Sequence, residues 1–83
     1  MKHGTFRKVN FQVKMASGYG QYIITAFYKG KDIETYTTEA EVWDYIDDPE
    51  NKEKNNAARK HCYNRIVAEY NKSLPIQMLL STK

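Results

Sequence analysis

A two-residue alternation near the start of the chain is the feature that most restricts the fold. Over residues 5–16, apolar side chains (Val9, Phe11, Val13 and Met15) alternate with polar ones (Lys8, Asn10, Gln12 and Lys14). Because successive side chains of a strand point to opposite faces, this spacing predicts one half-buried strand over that whole range.

Two more strands are expected before residue 38. Residues 17–20, Ser-Gly-Tyr-Gly, have turn chemistry, and the β-branched and aromatic run that follows predicts a second strand over residues 21–28. Lys29-Gly30-Lys31 predicts a tight turn into a shorter third strand over residues 33–37. The first part of the chain therefore predicts a three-stranded antiparallel meander.

After residue 37 the spacing of apolar residues becomes helical. Thr38-Glu39-Ala40-Glu41 has the pattern of a capping box, which predicts a helix start. Asp48 and Pro49 suit the N-cap and first position of a second helix, and Pro75 predicts its end. The expected fold is a single α+β domain over residues 1–83, in the order βββαα. The apolar tail, residues 74–83, is left as a short C-terminal strand, a clasp over the core or a partner-binding segment.

Alternation and helical spacing together predict which side chains form the core. On the first helix Val42, Trp43, Tyr45 and Ile46 share one face, and on the second an apolar stripe runs from Ala58 to Tyr70. The predicted core contains Val9, Phe11, Val13, Trp43, Ile46, Cys62, Ile66 and Tyr70.

No pattern in the sequence predicts catalysis, a metal or a cofactor. His61 and Cys62 are adjacent, and neighbours on a helix diverge by about 100°, so they are not expected to face one substrate. The spacings typical of a zinc site and of a calcium-binding loop are both missing. We therefore expect a protein that is not an enzyme.

Cysteine content and hydropathy predict the compartment. The single Cys62 excludes an intramolecular disulfide, and no apolar segment resembles a signal peptide or approaches the roughly 20 residues of a membrane span. We expect a cytoplasmic protein that does not associate with membranes.

Charge is segregated along the chain, and this favours a protein partner. Residues 1–31 contain six Lys and Arg and no acid, whereas residues 32–50 contain eight Asp and Glu and no base. On the first helix Glu41, Asp44, Asp47 and Asp48 should form an acidic face, with Arg59 as their nearest internal counterpart. Such a face would bind a basic protein surface, including one that normally holds nucleic acid. The leading hypothesis is a small accessory or inhibitor protein, of the kind that phages and mobile elements encode.

Two further binding modes stay open. The outward face of the predicted first strand would present Lys8, Asn10, Gln12 and Lys14, with Phe6 at its end, to DNA or RNA. The acids of residues 32–50 would repel a phosphate backbone near them. Alternatively, Phe6, Ile23, Phe27 and Tyr36 would leave apolar area on the uncovered sheet face, which predicts a homodimer.

Overall fold

A computed structural model describes residues 1–16, 20–38 and 40–74. Its elements are β1 (Lys2–Phe6), β2 (Val9–Met15), β3 (Tyr22–Tyr28), β4 (Lys31–Thr37), α1 (Ala40–Tyr45) and α2 (Lys52–Lys72). The strands form one antiparallel sheet in the order β1-β2-β3-β4, and both helices follow it in the chain. The predicted α+β class is confirmed, but the sheet has four strands rather than three. The proposed C-terminal strand or clasp lies outside the described residues.

The extra strand arises because the predicted first strand is a hairpin. Arg7 and Lys8 alone connect β1 to β2, and both have positive φ angles, 49° and 66°. Positive φ at both central residues is the pattern of a type I′ turn, which fits the twist of antiparallel strands. Such turns usually carry Asn or Gly. Because Arg and Lys occupy this one, the sequence gives no turn signal there.

The strand register sorts the side chains into two faces. Gly4, Phe11, Ala26 and Ile33 form one row across the sheet on the face that packs against the helices. A Cβ atom on Gly4 would lie 2.5 Å from Cζ of Phe11, so only glycine lets this buried ring lie against β1. Along each strand, every second residue faces the helices and the residues between them face away from the helices.

α2 runs along β4 in the opposite direction, and polar contacts fix this alignment. Nε2 of His61 lies 3.0 Å from Oγ1 of Thr37, and Nη2 of Arg65 donates to Oγ1 of Thr35 at 3.3 Å. Further along, Nζ of Lys31 donates to Oγ of Ser73 at 2.9 Å. The contacts between α2 and β4 thus give hydrogen-bond partners to the hydroxyls of two buried threonines, Thr35 and Thr37. Without such partners, these buried hydroxyls would destabilise the fold.

The second helix begins at a different residue from the one expected. Asn51, not Asp48, is the N-cap of α2, since its side chain accepts a hydrogen bond from the backbone N–H of Lys54. The carboxylate of Asp48 instead accepts from the N–H of Glu50 at 2.9 Å and closes a turn between the helices. Both residue types cap helices well, so the sequence does not separate them.

The core lies between the sheet and the two helices. Five predicted core residues are buried, namely Phe11, Val13, Ile46, Cys62 and Ile66, and Ile24, Ile33, Val42 and Ala58 complete the cluster. Val9, Trp43 and Tyr70 are only partly buried and pack at its margin. Trp43 stacks on the ring of Tyr22, with 5.6 Å between centroids.

Candidate binding surfaces

One face of the sheet is not covered by any element of the described residues. We call it the open face; its outward side chains are His3, Thr5, Asn10, Gln12, Lys14, Ile23, Thr25, Phe27, Asp32, Glu34 and Tyr36. Much of it forms a shallow hollow of about 740 Å³. Phe27 is 66% exposed and Tyr36 is 50% exposed, so two large rings stand in solvent on this face.

The charges of the open face are mixed. Asn10, Gln12 and Lys14 lie on it as the sequence predicted, but Lys8 is in the β1–β2 turn rather than on the strand. Phe6 also leaves this face, since it is packed against the core and Tyr63. β4 adds the carboxylates of Asp32 and Glu34. The structure therefore does not assemble a uniformly basic sheet surface.

The predicted acidic face is divided between a helix and a turn. Glu41 and Asp44 are exposed on α1, whereas Asp47 and Asp48 follow the end of that helix. Nζ of Lys2 lies 3.3 Å from Oδ1 of Asp47, so one of the four carboxylates has a cation beside it.

Arg59 does not neutralise these carboxylates as expected. Its Nε donates to the backbone carbonyl of Ile46 at 2.8 Å, where α1 has just ended. Lys54 lies nearer the acids: its pKa is raised, first by a hydrogen bond to the hydroxyl of Tyr45 and less by Glu41 and Asp48. Glu41, Asp44 and Asp47 are exposed, whereas Asp48 is half-buried.

His61 and Cys62 have separate surroundings, as helical geometry required. The thiol of Cys62 is buried in the core, and burial raises its pKa to about 12. His61 is half-buried and contacts Thr37 rather than pointing into solvent. Among the described residues no group of three or more His, Cys, Asp or Glu side chains could hold a metal ion.

A cluster of cations and aromatic rings at one end of the sheet was not expected from the sequence. The β1–β2 and β3–β4 turns both lie at this end, and we call Arg7, Lys8, Lys29 and Lys31 the basic end. Phe6, Tyr63, Tyr28 and Tyr70 form a continuous row beneath it, with centroids 5.3, 6.2 and 5.2 Å apart in that order.

Two cations of the basic end lie over these rings. The guanidinium of Arg7 is 6.0 Å from the centroid of Phe6 and 5.9 Å from that of Tyr63. Nζ of Lys29 is 5.5 Å from the centroid of Tyr28 and 5.6 Å from that of Tyr70. The cluster depends on the Arg7-Lys8 hairpin, which brings both basic turns to one end, and the sequence carries no signal for that turn.

Neither α1 nor α2, the helices of the described residues, has the length and apolar character that crossing a membrane requires. Comparison of the chain with protein-family models, with curated proteins and with solved structures finds no significant match.

Proposed function

We propose that this protein is a small non-catalytic accessory or inhibitor protein that binds another protein through the open face. The observation that carries the proposal is the exposure of Phe27 and Tyr36, 66% and 50%, on the open face, where Phe27 also lines the shallow hollow. Aromatic side chains surrounded by polar groups are typical of protein interfaces, where they supply most of the binding energy. A protein of this kind acts by occupying the surface of its partner.

The charges of the open face indicate the chemistry of that partner. Asp32 lies opposite Phe27 across the β3–β4 pair, and Glu34 accepts a hydrogen bond from the hydroxyl of Tyr36 at 3.1 Å. Both exposed rings thus have a carboxylate beside them. A protein surface with an apolar anchor site and a basic rim would complement this pattern. The same carboxylates make the open face a poor surface for a phosphate backbone.

The proposal is tested by removing the exposed rings. The double variant Phe27→Ser/Tyr36→Ser should lose at least one protein that the wild type captures from its native cells, as quantified by mass spectrometry. Met15→Ser is the matched control, because Met15 is 64% exposed but pairs with Tyr22 and so belongs to the other face. Identical captured proteins for all three forms would contradict the proposal.

A second copy of the chain is the other occupant that the experiment must separate. Light scattering over a range of concentrations measures self-association directly. A dimer that Phe27→Ser/Tyr36→Ser dissociates and Met15→Ser leaves intact would assign the open face to a homodimer and contradict a separate partner. If the wild-type protein is a monomer and Phe27→Ser/Tyr36→Ser selectively loses a captured protein, the proposal of a separate protein partner is supported.

A further inference from the structure

We propose that the basic end is a separate binding site for the phosphodiester backbone of nucleic acid, centred on Arg7, Lys8 and Lys29. It lies at the two-residue turns of the sheet and not on the open face. The inference therefore does not depend on the protein-binding proposal, and either can fail alone.

The backbone of the two turns is the first line of support. Arg7, Lys8 and Lys29 have φ angles of 49°, 66° and 49°. In the described parts of the chain, these three are the only non-glycine residues with positive φ. Glycine or asparagine would adopt this conformation with less strain. The fold alone does not account for a long cation at each strained position, and strained positions cluster at functional sites.

The side chains are the second line of support, because their charges are not used within the fold. In the described residues, neither Arg7 nor Lys8 nor Lys29 forms a hydrogen bond or ion pair with a carboxylate. Instead, Arg7 and Lys29 lie over aromatic rings, which restrict their positions while leaving N–H donors free. A guanidinium held in this way can donate to phosphate oxygens through its edge.

The spacing of the turns suits an extended anion rather than a single one. The turns join β1 to β2 and β3 to β4, so their centres are about two strand spacings, or roughly 10 Å, apart. This distance corresponds to about three nucleotide rises along one strand. The groove on the far side of Lys31 also contains Asp32 and Glu69, which is why the site is centred on the other three cations.

Fluorescence anisotropy with labelled single-stranded DNA, single-stranded RNA and duplex DNA of mixed sequence tests the site at low salt. Arg7→Glu/Lys29→Glu should weaken binding and reduce the slope of log affinity against log salt by about one for each phosphate that the variant no longer neutralises. Lys52→Glu/Lys60→Glu is the matched control, because it reverses two exposed cations of α2 with the same change in net charge. Equal affinity of the two double variants, or no binding by the wild type, would overturn the inference.

A second variant separates binding from folding. Arg7→Asn/Lys8→Gly keeps a turn of the same type with a favourable sequence, so its far-ultraviolet circular dichroism should match the wild type while its nucleic-acid affinity falls. Unchanged affinity of this variant would overturn the inference. So would equally tight binding of the wild type to phosphatidylglycerol vesicles, since the basic end would then select negative charge and not the nucleic-acid backbone.

Discussion

Cys62 lies at the centre of the face of α2 that packs against the sheet, and its thiol is fully buried. Burial disfavours the thiolate and raises the pKa of the thiol to about 12. The nucleophilic form is therefore scarce at neutral pH, and solvent does not reach the sulfur in the folded state. We therefore expect Cys62 to be unreactive toward thiol reagents while the protein is folded.

The raised pKa of Cys62 gives a signed pH dependence of stability. An unfolded thiol loses its proton near pH 8.5, whereas the folded thiol of Cys62 keeps its proton to about pH 12. The free energy of unfolding therefore falls as the pH rises from about 8.5 to about 12. Between about pH 7 and pH 10 we expect a loss of the order of 1–2 kcal/mol in urea unfolding. In Cys62→Ala, which starts less stable, the decline should be smaller. An equal decline in both proteins would show that other groups cause it.

Gly4 and Gly30 should respond to alanine for different reasons. Gly4→Ala places Cβ against the buried ring of Phe11, and such overpacking destabilises a core by about 1–3 kcal/mol. Gly30 has open space around it but a φ of +80°, so Gly30→Ala should cost about 1 kcal/mol through backbone strain. Urea unfolding monitored by Trp43 fluorescence measures both. A larger effect at Gly30 than at Gly4 would contradict this assignment.

Among the connections between elements, the β1–β2 turn has an identifiable source of instability. Lys8 adopts a φ of 66° at the position where type I′ turns favour glycine. Lys8→Gly should therefore raise the free energy of unfolding by about 0.5–1 kcal/mol. Lys8→Ala is the control, because it removes the same charge and retains the strain. If both variants gain equally, loss of charge and not relief of strain is the cause.

α1 is fixed against the core by Val42 and by Ile46, which directly follows the helix, rather than by Trp43. Ile46 is fully buried, whereas Trp43 is half-buried between Tyr22 and Lys2, whose Nζ lies 5.6 Å from the indole centroid. Ile46→Ala should destabilise the protein by about 2–5 kcal/mol. Trp43→Ala should have the smaller effect, measured by thermal unfolding in circular dichroism. The reverse order would place Trp43 in the core.

Elements whose signal is a burial pattern were predictable, and those defined by backbone conformation were not. The alternation of β2 assigned Phe11 and Val13 to the core side because burial follows strand period directly. The Arg7-Lys8 turn escaped prediction since it depends on two φ angles that these residue types seldom adopt. Because this turn was not predicted, the grouping of the two basic turns at one end of the sheet was not predicted either. Exposure of Phe27 and Tyr36, by contrast, followed from the strand period alone.

At the scale of the whole molecule, the acids of α1 and the cations of the basic end lie at opposite ends of the sheet. α1 lies at the end of the sheet where Trp43 stacks on Tyr22 and Asp47 contacts Lys2. The basic end lies at the opposite end of the strands, about 20 Å away. This distance exceeds the Debye length of about 8 Å at physiological salt. The two ends therefore influence approaching partners separately instead of neutralising one another.

The exposed acids of α1 should act on the rate at which a basic protein partner associates. Glu41→Lys/Asp44→Lys should slow association with a captured partner at low salt and leave dissociation nearly unchanged, as surface plasmon resonance measures. These two carboxylates are a sharper choice than Asp47, which lies beside Lys2. Asp32→Lys, on the open face itself, should change dissociation as well. An unchanged association rate in Glu41→Lys/Asp44→Lys would mean that these acids are only a solvated surface.

The strand order follows the chain order, and this has a consequence for synthesis on the ribosome. Each strand pairs with the one before it, so the whole sheet can form once residue 37 has emerged. Its apolar side, which includes Phe11 and Ile24, is then without the helix that covers it. At about 5–20 residues per second, α2 is complete only a few seconds later. During that interval the nascent chain exposes its future core on one side, and a chaperone that binds apolar sheet surfaces would have this period in which to act.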